Sequence, residues 1–152
     1  MKQILIALDY NPTARKVAES GFEMAKAMGA HVTLLHVLVA PEMYAGVYGD
    51  MGVWQINAID QVEAFKNIET ASQSFLEKAK KHLGAKSIDT LLKEGDIAQI
   101  ILQTATETKS ECIVMGSHSS KWLENILLGS VTEDVLRKTD IPMFIVPTKK
   151  MD

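Results

Sequence analysis

The sequence predicts a doubly wound α/β domain, a five-stranded parallel sheet with helices packed on both faces. Three observations predict it. Short continuous apolar runs alternate with stretches of helical spacing along the whole chain. Most of those runs are apolar throughout, as strands buried on both faces are. Glycine, proline or a capping residue punctuates the boundaries between them. Alternation of this kind joins parallel strands through right-handed crossovers. A chain of 152 residues is the size of one domain with a real core, so residues 1–152 are expected to form a single domain. There is no internal repeat and no low-complexity segment.

Ile4-Leu5-Ile6-Ala7-Leu8 is the first apolar run. Asp9-Tyr10-Asn11-Pro12-Thr13 breaks it, with Asn11 expected as N-cap and Pro12 at the first helical position. Ala14, Val17, Ala18, Gly21, Ala25 and Met28 then share one helical face, and most are small enough to let the helix lie close against a sheet. Gly29 is the expected stop, and His31 to Leu38 reads as the second strand. The stretch 39–57 contains Pro41, Gly46, Gly49 and Gly52 among Met43, Tyr44, Tyr48, Met51 and Trp54. It reads as a long flexible loop whose apolar side chains pack on a ligand, a partner or the chain's own surface. Its glycine spacing is no phosphate fingerprint, because no helix clearly opens there.

A long helix is expected over Ala58–Leu83, with Ile68, Ala71, Phe75 and Ala79 inward and Gly84 as its stop. Ser87 to Glu94 is a third, more polar strand suited to a sheet edge. Gly95-Asp96 supplies the turn and N-cap of a helix marked by Ile97, Ile100, Ile101, Thr104 and Ala105. Glu111 to Met115 is the fourth strand and runs into Gly116. A helix over Ser130–Lys138 leads to the fifth strand, Met143–Val146, between Pro142 and Pro147.

Sixteen basic residues against nineteen acidic give a formal net charge of −3. A general nucleic-acid binder would gather a basic excess on one face, and Lys80-Lys81 and Lys149-Lys150 are too short for that, so no nucleic-acid partner is expected. No uncharged run reaches the roughly 18 residues of a membrane helix. Lys2 and Asp9 flank a first apolar run too short for a signal core. A cytoplasmic protein without membrane association is expected. Cys112, in Cys112-Ile113-Val114-Met115, reads as a buried strand thiol with no base nearby to activate it.

Open parallel sheets bind ligands beyond the carboxyl ends of their strands, where the strand order reverses. The richest such segment is Met115-Gly116-Ser117-His118-Ser119-Ser120, followed by Gly129-Ser130-Val131. Glycines let backbone amides approach an anion, and Gly129-Ser130 opens a helix whose free amides and positive dipole end favour phosphate. A P-loop and a dinucleotide fingerprint are both absent. On these grounds an anion site and an ordinary glycine-rich connection with helix caps remain equally open.

Gly116 to Ser130 resembles the nucleotide-binding signature of ATP-binding universal stress proteins: glycine, two residues, glycine, nine residues, then glycine and serine or threonine. Ile4-Leu5-Ile6-Ala7-Leu8-Asp9, the strand end His36-Val37, Ile126 to Glu133 and Asp140 to Pro147 are similar to that family too. The resemblance implies a Rossmann-like, adenine nucleotide alpha hydrolase-like sheet of order 3-2-1-4-5. It implies ATP or AMP as ligand, with Mg2+ beside the phosphates. By the same resemblance Asp9 contacts ribose or a metal, Ala7 lines the adenine pocket and Val37 contacts adenine through its backbone. Met115 and Gly116 floor the ribose-phosphate region, and Gly129, Ser130 and Val131 hold the phosphates. It also implies a homodimer through Met143, Phe144, Ile145 and Val146. Ser119 departs from the signature by replacing its second glycine. If that position takes a positive φ, serine costs energy there and narrows the phosphate path, which favours a shorter nucleotide, or its hydroxyl bonds a phosphate instead.

His118 is expected either at a phosphate or facing solvent. His31 and His36 read as structural or partly exposed, and His82 as a cation in a helix's last turn. Trp122 reads as core. No histidine has metal-ligand spacing, no nucleophile–base–acid set emerges, and no catalytic or protein-bound metal residue is expected. The expected role is regulatory or stress-responsive nucleotide binding. The alternatives are a chaperone-like interaction protein with an empty pocket and a slow ATPase.

Overall fold

The structure, a computed structural model, describes residues 1–39, 58–117 and 129–148. Those residues form β1 (Gln3–Ala7), α1 (Ala14–Met28), β2 (His31–Leu38), α2 (Ala58–Leu83), β3 (Asp89–Glu94), α3 (Ile97–Glu107), β4 (Cys112–Gly116), α4 (Ser130–Lys138) and β5 (Met143–Val146). The five strands lie in the order β3-β2-β1-β4-β5 and every neighbouring pair is parallel. This is the expected fold and strand order. The central strand β1 places Ile6 between Leu34 of β2 and Val114 of β4.

Side-chain alternation along the strands builds two cores. Ile4, Ile6, Leu34 and Val114 pack with Val17 and Ala18 of α1 and Leu76 of α2. Leu5, Leu35 and Ile113 pack on the opposite face with Ile101 and Ala105 of α3 and Val135 of α4. The helices are therefore wound two to each face. The last strand run, Met143–Val146, and the polar run of β3 form the two sheet edges.

Helix ends follow local chemistry. Gly29 adopts a left-handed conformation (φ 63°) and closes α1 with Ala30 N–H donating to Ala25 O and Gly29 N–H to Lys26 O. Asp96 caps α3, its carboxylate accepting from Gln99 N–H at 3.0 Å. Asp96→Ala should cost about 1 kcal/mol in urea denaturation, the typical loss of an N-cap. An unchanged midpoint would show that another group satisfies that amide.

Four expectations are corrected. Asn11 is not the N-cap of α1: its Oδ1 accepts from Thr13 N–H at 3.1 Å, and its carbonyl accepts from Ala14 N–H at 2.9 Å. The asparagine makes a side-chain-stabilised turn ahead of the helix, and Thr13 stands at the cap. Met28 is 39% exposed, because the helix ends there, beyond the core. On α2, Ser72 and Leu76 are buried whereas Ile68 and Ala71 are exposed. With 26 residues α2 is about 39 Å long, while strands of this sheet span about 13–26 Å, so α2 outruns the sheet. Cys112 is half-buried rather than buried, and burial still raises its thiol pKa. His82 does more than face the helix dipole, because its Nε2 lies 2.6 Å from Glu19 Oε1 and ties α2 to α1. Among the described residues no helix is long and apolar enough to cross a membrane.

Candidate functional site

The strand order reverses between β1 and β4, since β1 is followed by β2 on one side while β4 flanks it on the other. A cavity of about 510 Å³ opens at the carboxyl edge there, the size of a small-molecule pocket. One wall belongs to the α3/α4 face: Ala7, Leu35, Val37, Ile101, Met115 and Val131. The other belongs to the α1/α2 face and includes Leu8, Val17 and, from the overhanging part of α2, Ile68, Ala71 and Ser72. Asp9, the first residue past Leu8, lines the same cavity.

Asp9 is half-buried in this largely apolar setting. Burial pushes its carboxyl up to about 6, against the opposing pull of the backbone amides of Asp9 and Asn11. Gly116 is constrained by packing: a Cβ there would stand 3.0 Å from Val17 Cγ2 and 3.1 Å from Thr148 Cγ2. Glycine therefore lets α1 and the chain after β5 close on the end of β4.

A knot of hydrogen bonds sets the start of α4 beside this edge. Thr132 Oγ1 donates to Gly116 O at 2.8 Å, and Gly129 N–H donates to Ser117 O. Ser117 N–H donates to Val146 O at 2.9 Å, and Thr148 N–H donates to Ser117 Oγ at 2.9 Å. Gly129 thus spends its amide on the chain, donating to Ser117 O. The first-turn amides of Ser130, Val131 and Thr132 have no carbonyl within the helix to meet, and the positive end of the helix lies there. Val131 and Thr132 line the main cavity. Ser130 and Val131 line an adjoining recess of about 500 Å³ with Gly95, Asp96, Glu133, Asp134 and Arg137.

A family model described as the universal stress protein family matches residues 1–147. The chain belongs to this family. Universal stress protein MJ0531 of Methanocaldococcus jannaschii is 31% identical over 155 residues, covering 99% of this chain and 85% of its own. The structure of hypothetical protein MJ0577 superposes with a TM-score of 0.77 at 26% identity, over 99% of this chain and 98% of that one. The universal stress protein of Archaeoglobus fulgidus solved in complex with dAMP shares the fold, with a TM-score of 0.58 and 23% identity over 95% of this chain and 97% of that one.

In this universal stress protein, Ala7, Asp9, Val37, Met115, Gly116 and Val131 therefore meet in one cavity, and Ser130 lies in the recess beside it. His118 and Ser119 lie outside the described residues, as do Trp122 and the stretch 40–57. Sequence reasoning missed Tyr10, His36, Ser72, Ile97 and Ile101 as cavity walls, and Thr148 in the knot. His36 was findable, because strand alternation puts it on the face opposite Val37 at the same strand end. Among the described residues no group of three or more His, Cys, Asp or Glu gathers as a metal site.

Proposed function

We propose that this universal stress protein binds an adenine nucleotide at the carboxyl edge between β1 and β4 and acts as a regulatory or stress-response protein without dedicated catalysis. One observation carries the reading: Asp9 after β1, Val37 of β2, Gly116 of β4 and Val131 of α4, far apart in sequence, line a single cavity. The apolar wall of Ala7, Val37 and Met115 suits a purine, and Asp9 at its side suits ribose hydroxyls. The phosphates would run toward the amides of Ser130 and Val131, with His118 and Ser119 as the family signature implies, while Gly129, its amide given to Ser117 O, opens the helix without contacting them. The dAMP complex of the Archaeoglobus fulgidus relative supports the class of ligand.

Charge favours a short nucleotide. The recess beside Ser130 presents Asp96, Glu133 and Asp134, and its Arg137 is already paired with Glu133 at 2.6 Å. A triphosphate there meets carboxylates, so AMP is expected to bind more tightly than ATP unless Mg2+ accompanies the longer chain. Thermal melts with AMP, ATP and ATP plus Mg2+ test both points. At a hundred times its Kd a ligand adds about 2.7 kcal/mol of stability, or roughly 5–10 °C for a domain of this size. No shift with millimolar AMP or ATP overturns the reading, and an equal shift with magnesium-free ATP and AMP overturns the preference.

The same reading includes a homodimer. β5 is a sheet edge with an apolar run, Met143 to Val146, and Phe144 is 38% exposed. Light scattering at micromolar concentration should give twice the monomer mass, and a monomer alone would count against pairing through β5.

A further inference from the structure

The α1/α2 wall of the cavity carries chemistry that the proposed nucleotide contacts leave unused. His36 and Ser72, which help to form it, are only 8% and 3% exposed. His36 Nδ1 lies 2.7 Å from Leu8 O. A carbonyl only accepts, so Nδ1 carries the proton, and Nε2 of the neutral ring is left as an acceptor. The carbonyl is well placed to hold that tautomer, because Leu8 N–H is itself anchored to Leu35 O at 2.8 Å. Among the described residues, Thr104 Oγ1 is the one sealed, unpaired polar side-chain atom. No hydrogen bond to His36 Nε2 or Ser72 Oγ is formed among the described residues, and both residues line the cavity.

The surroundings define what such groups would meet. The Tyr10 ring, 65% exposed, lies 5.0 Å from Phe75 and 6.3 Å from His36, centroid to centroid. Phe75 meets His36 edge-on at 5.7 Å and so backs both rings. No lysine or arginine of the described residues lines this cavity, and Asp9 does. An anion here would face a carboxylate with no cation to offset it.

We propose that this wall forms a second subsite, for an uncharged aromatic ring carrying an N–H or O–H donor, which donates to His36 Nε2 and packs against Tyr10. Ser72 Oγ is the second polar contact, available to a substituent on the ring. The donor sets the specificity: a ring without one buries His36 Nε2 unpaired and loses the desolvation free energy of that acceptor. The inference does not depend on nucleotide binding.

Indole and 1-methylindole, which differ in the N–H donor, are the probes, titrated into the full-length protein labelled with 15N. Indole should shift the His36 Nε2 resonance and bind about ten-fold more tightly than 1-methylindole. Tyr10→Ala, at an exposed ring, should leave the melting curve nearly unchanged and weaken indole about ten-fold. Saturating AMP should leave indole affinity unchanged. No binding at millimolar indole, equal affinity for the two probes without a His36 shift, or displacement of indole by AMP would each overturn the proposal. If AMP does not bind the protein at all, the first two comparisons decide alone, which separates this result from the fate of the nucleotide reading.

Discussion

Asp9→Asn should make the protein more stable at pH 7.5 and leave its stability unchanged near pH 3.5. The Asp9 carboxyl rises from its ordinary value of 3.8 to about 6 on folding, chiefly through burial. The folded chain therefore holds the Asp9 proton more tightly than the unfolded chain does. The stability linked to this group is fully present below 3.8, drains away as pH rises toward 6 and is gone above it. A shift of about two units corresponds to roughly 3 kcal/mol. Asp9 keeps contact with solvent, which screens the charge, so about 1–2 kcal/mol is the expected gain from asparagine at neutral pH. Asparagine keeps the size of the side chain and an oxygen for the amides of Asp9 and Asn11. Urea denaturation of both proteins at the two pH values checks this. A gain of equal size at both, or a loss at pH 7.5, would show that charge burial is not the cause. The same variant should lose much of any AMP-dependent thermal shift. A carboxylate kept in a cavity at a cost to stability marks a candidate binding group.

Gly21→Leu should destabilise the fold by about 3 kcal/mol or more, at the upper end of what overpacking costs. A Cβ at Gly21 would stand 2.8 Å from Ile6 Cδ1 and 3.0 Å from Val114 Cγ1. Ile6 and Val114 are both fully buried at 0% exposure, so the extra carbons of leucine have no space to enter. α1 would have to lift off the sheet, carrying with it Ala14 and Val17 of the cavity wall. Gly21→Ala should be nearly neutral. Its single methyl asks Ile6 Cδ1 to swing aside and Val114 Cγ1 to give slightly, and the gain in helix propensity of about 1 kcal/mol offsets that strain. A leucine variant within 1 kcal/mol of the parent in urea denaturation would mean that α1 is free to shift without loss. Ligand shifts measured on both variants would report whether the α1 wall has moved.

Much of this fold was legible because its determinants are local. Leu5 and Ile6 sit in an unbroken apolar run, and such a run has one stable use in an alternating chain, as the middle of a covered sheet. Gly29 ends α1 where a left-handed residue was needed. Asp96 caps α3 from the sequence position expected of it. The misreadings at Asn11 and on α2 have different origins. Asn11 bonds a turn rather than the helix, and the buried stripe of α2 runs through Ser72 and Leu76 rather than Ile68 and Ala71. The first outcome was a local competition between a side-chain-stabilised turn and the helix cap, and the second depended on how far α2 extends past the sheet, which periodicity within an element does not encode.

By itself the sequence determined the run of elements, the interior strand β1, the polar edge at β3 and the membership of Asp9, Val37 and Gly116 in strand ends at one edge of the sheet. These follow from short-range physics, in which hydrophobic spacing and backbone preference act within a few residues. Only the tertiary structure decided that Ser130 turns to a recess beside the main cavity, that Gly129 spends its amide on Ser117, and that His36, Tyr10 and Ser72 form a second wall. Each of these depends on distances between segments far apart in the chain, set by packing of α1 and α2 on one face and α3 and α4 on the other. Close packing makes those distances a property of the whole core, so no local pattern carries them.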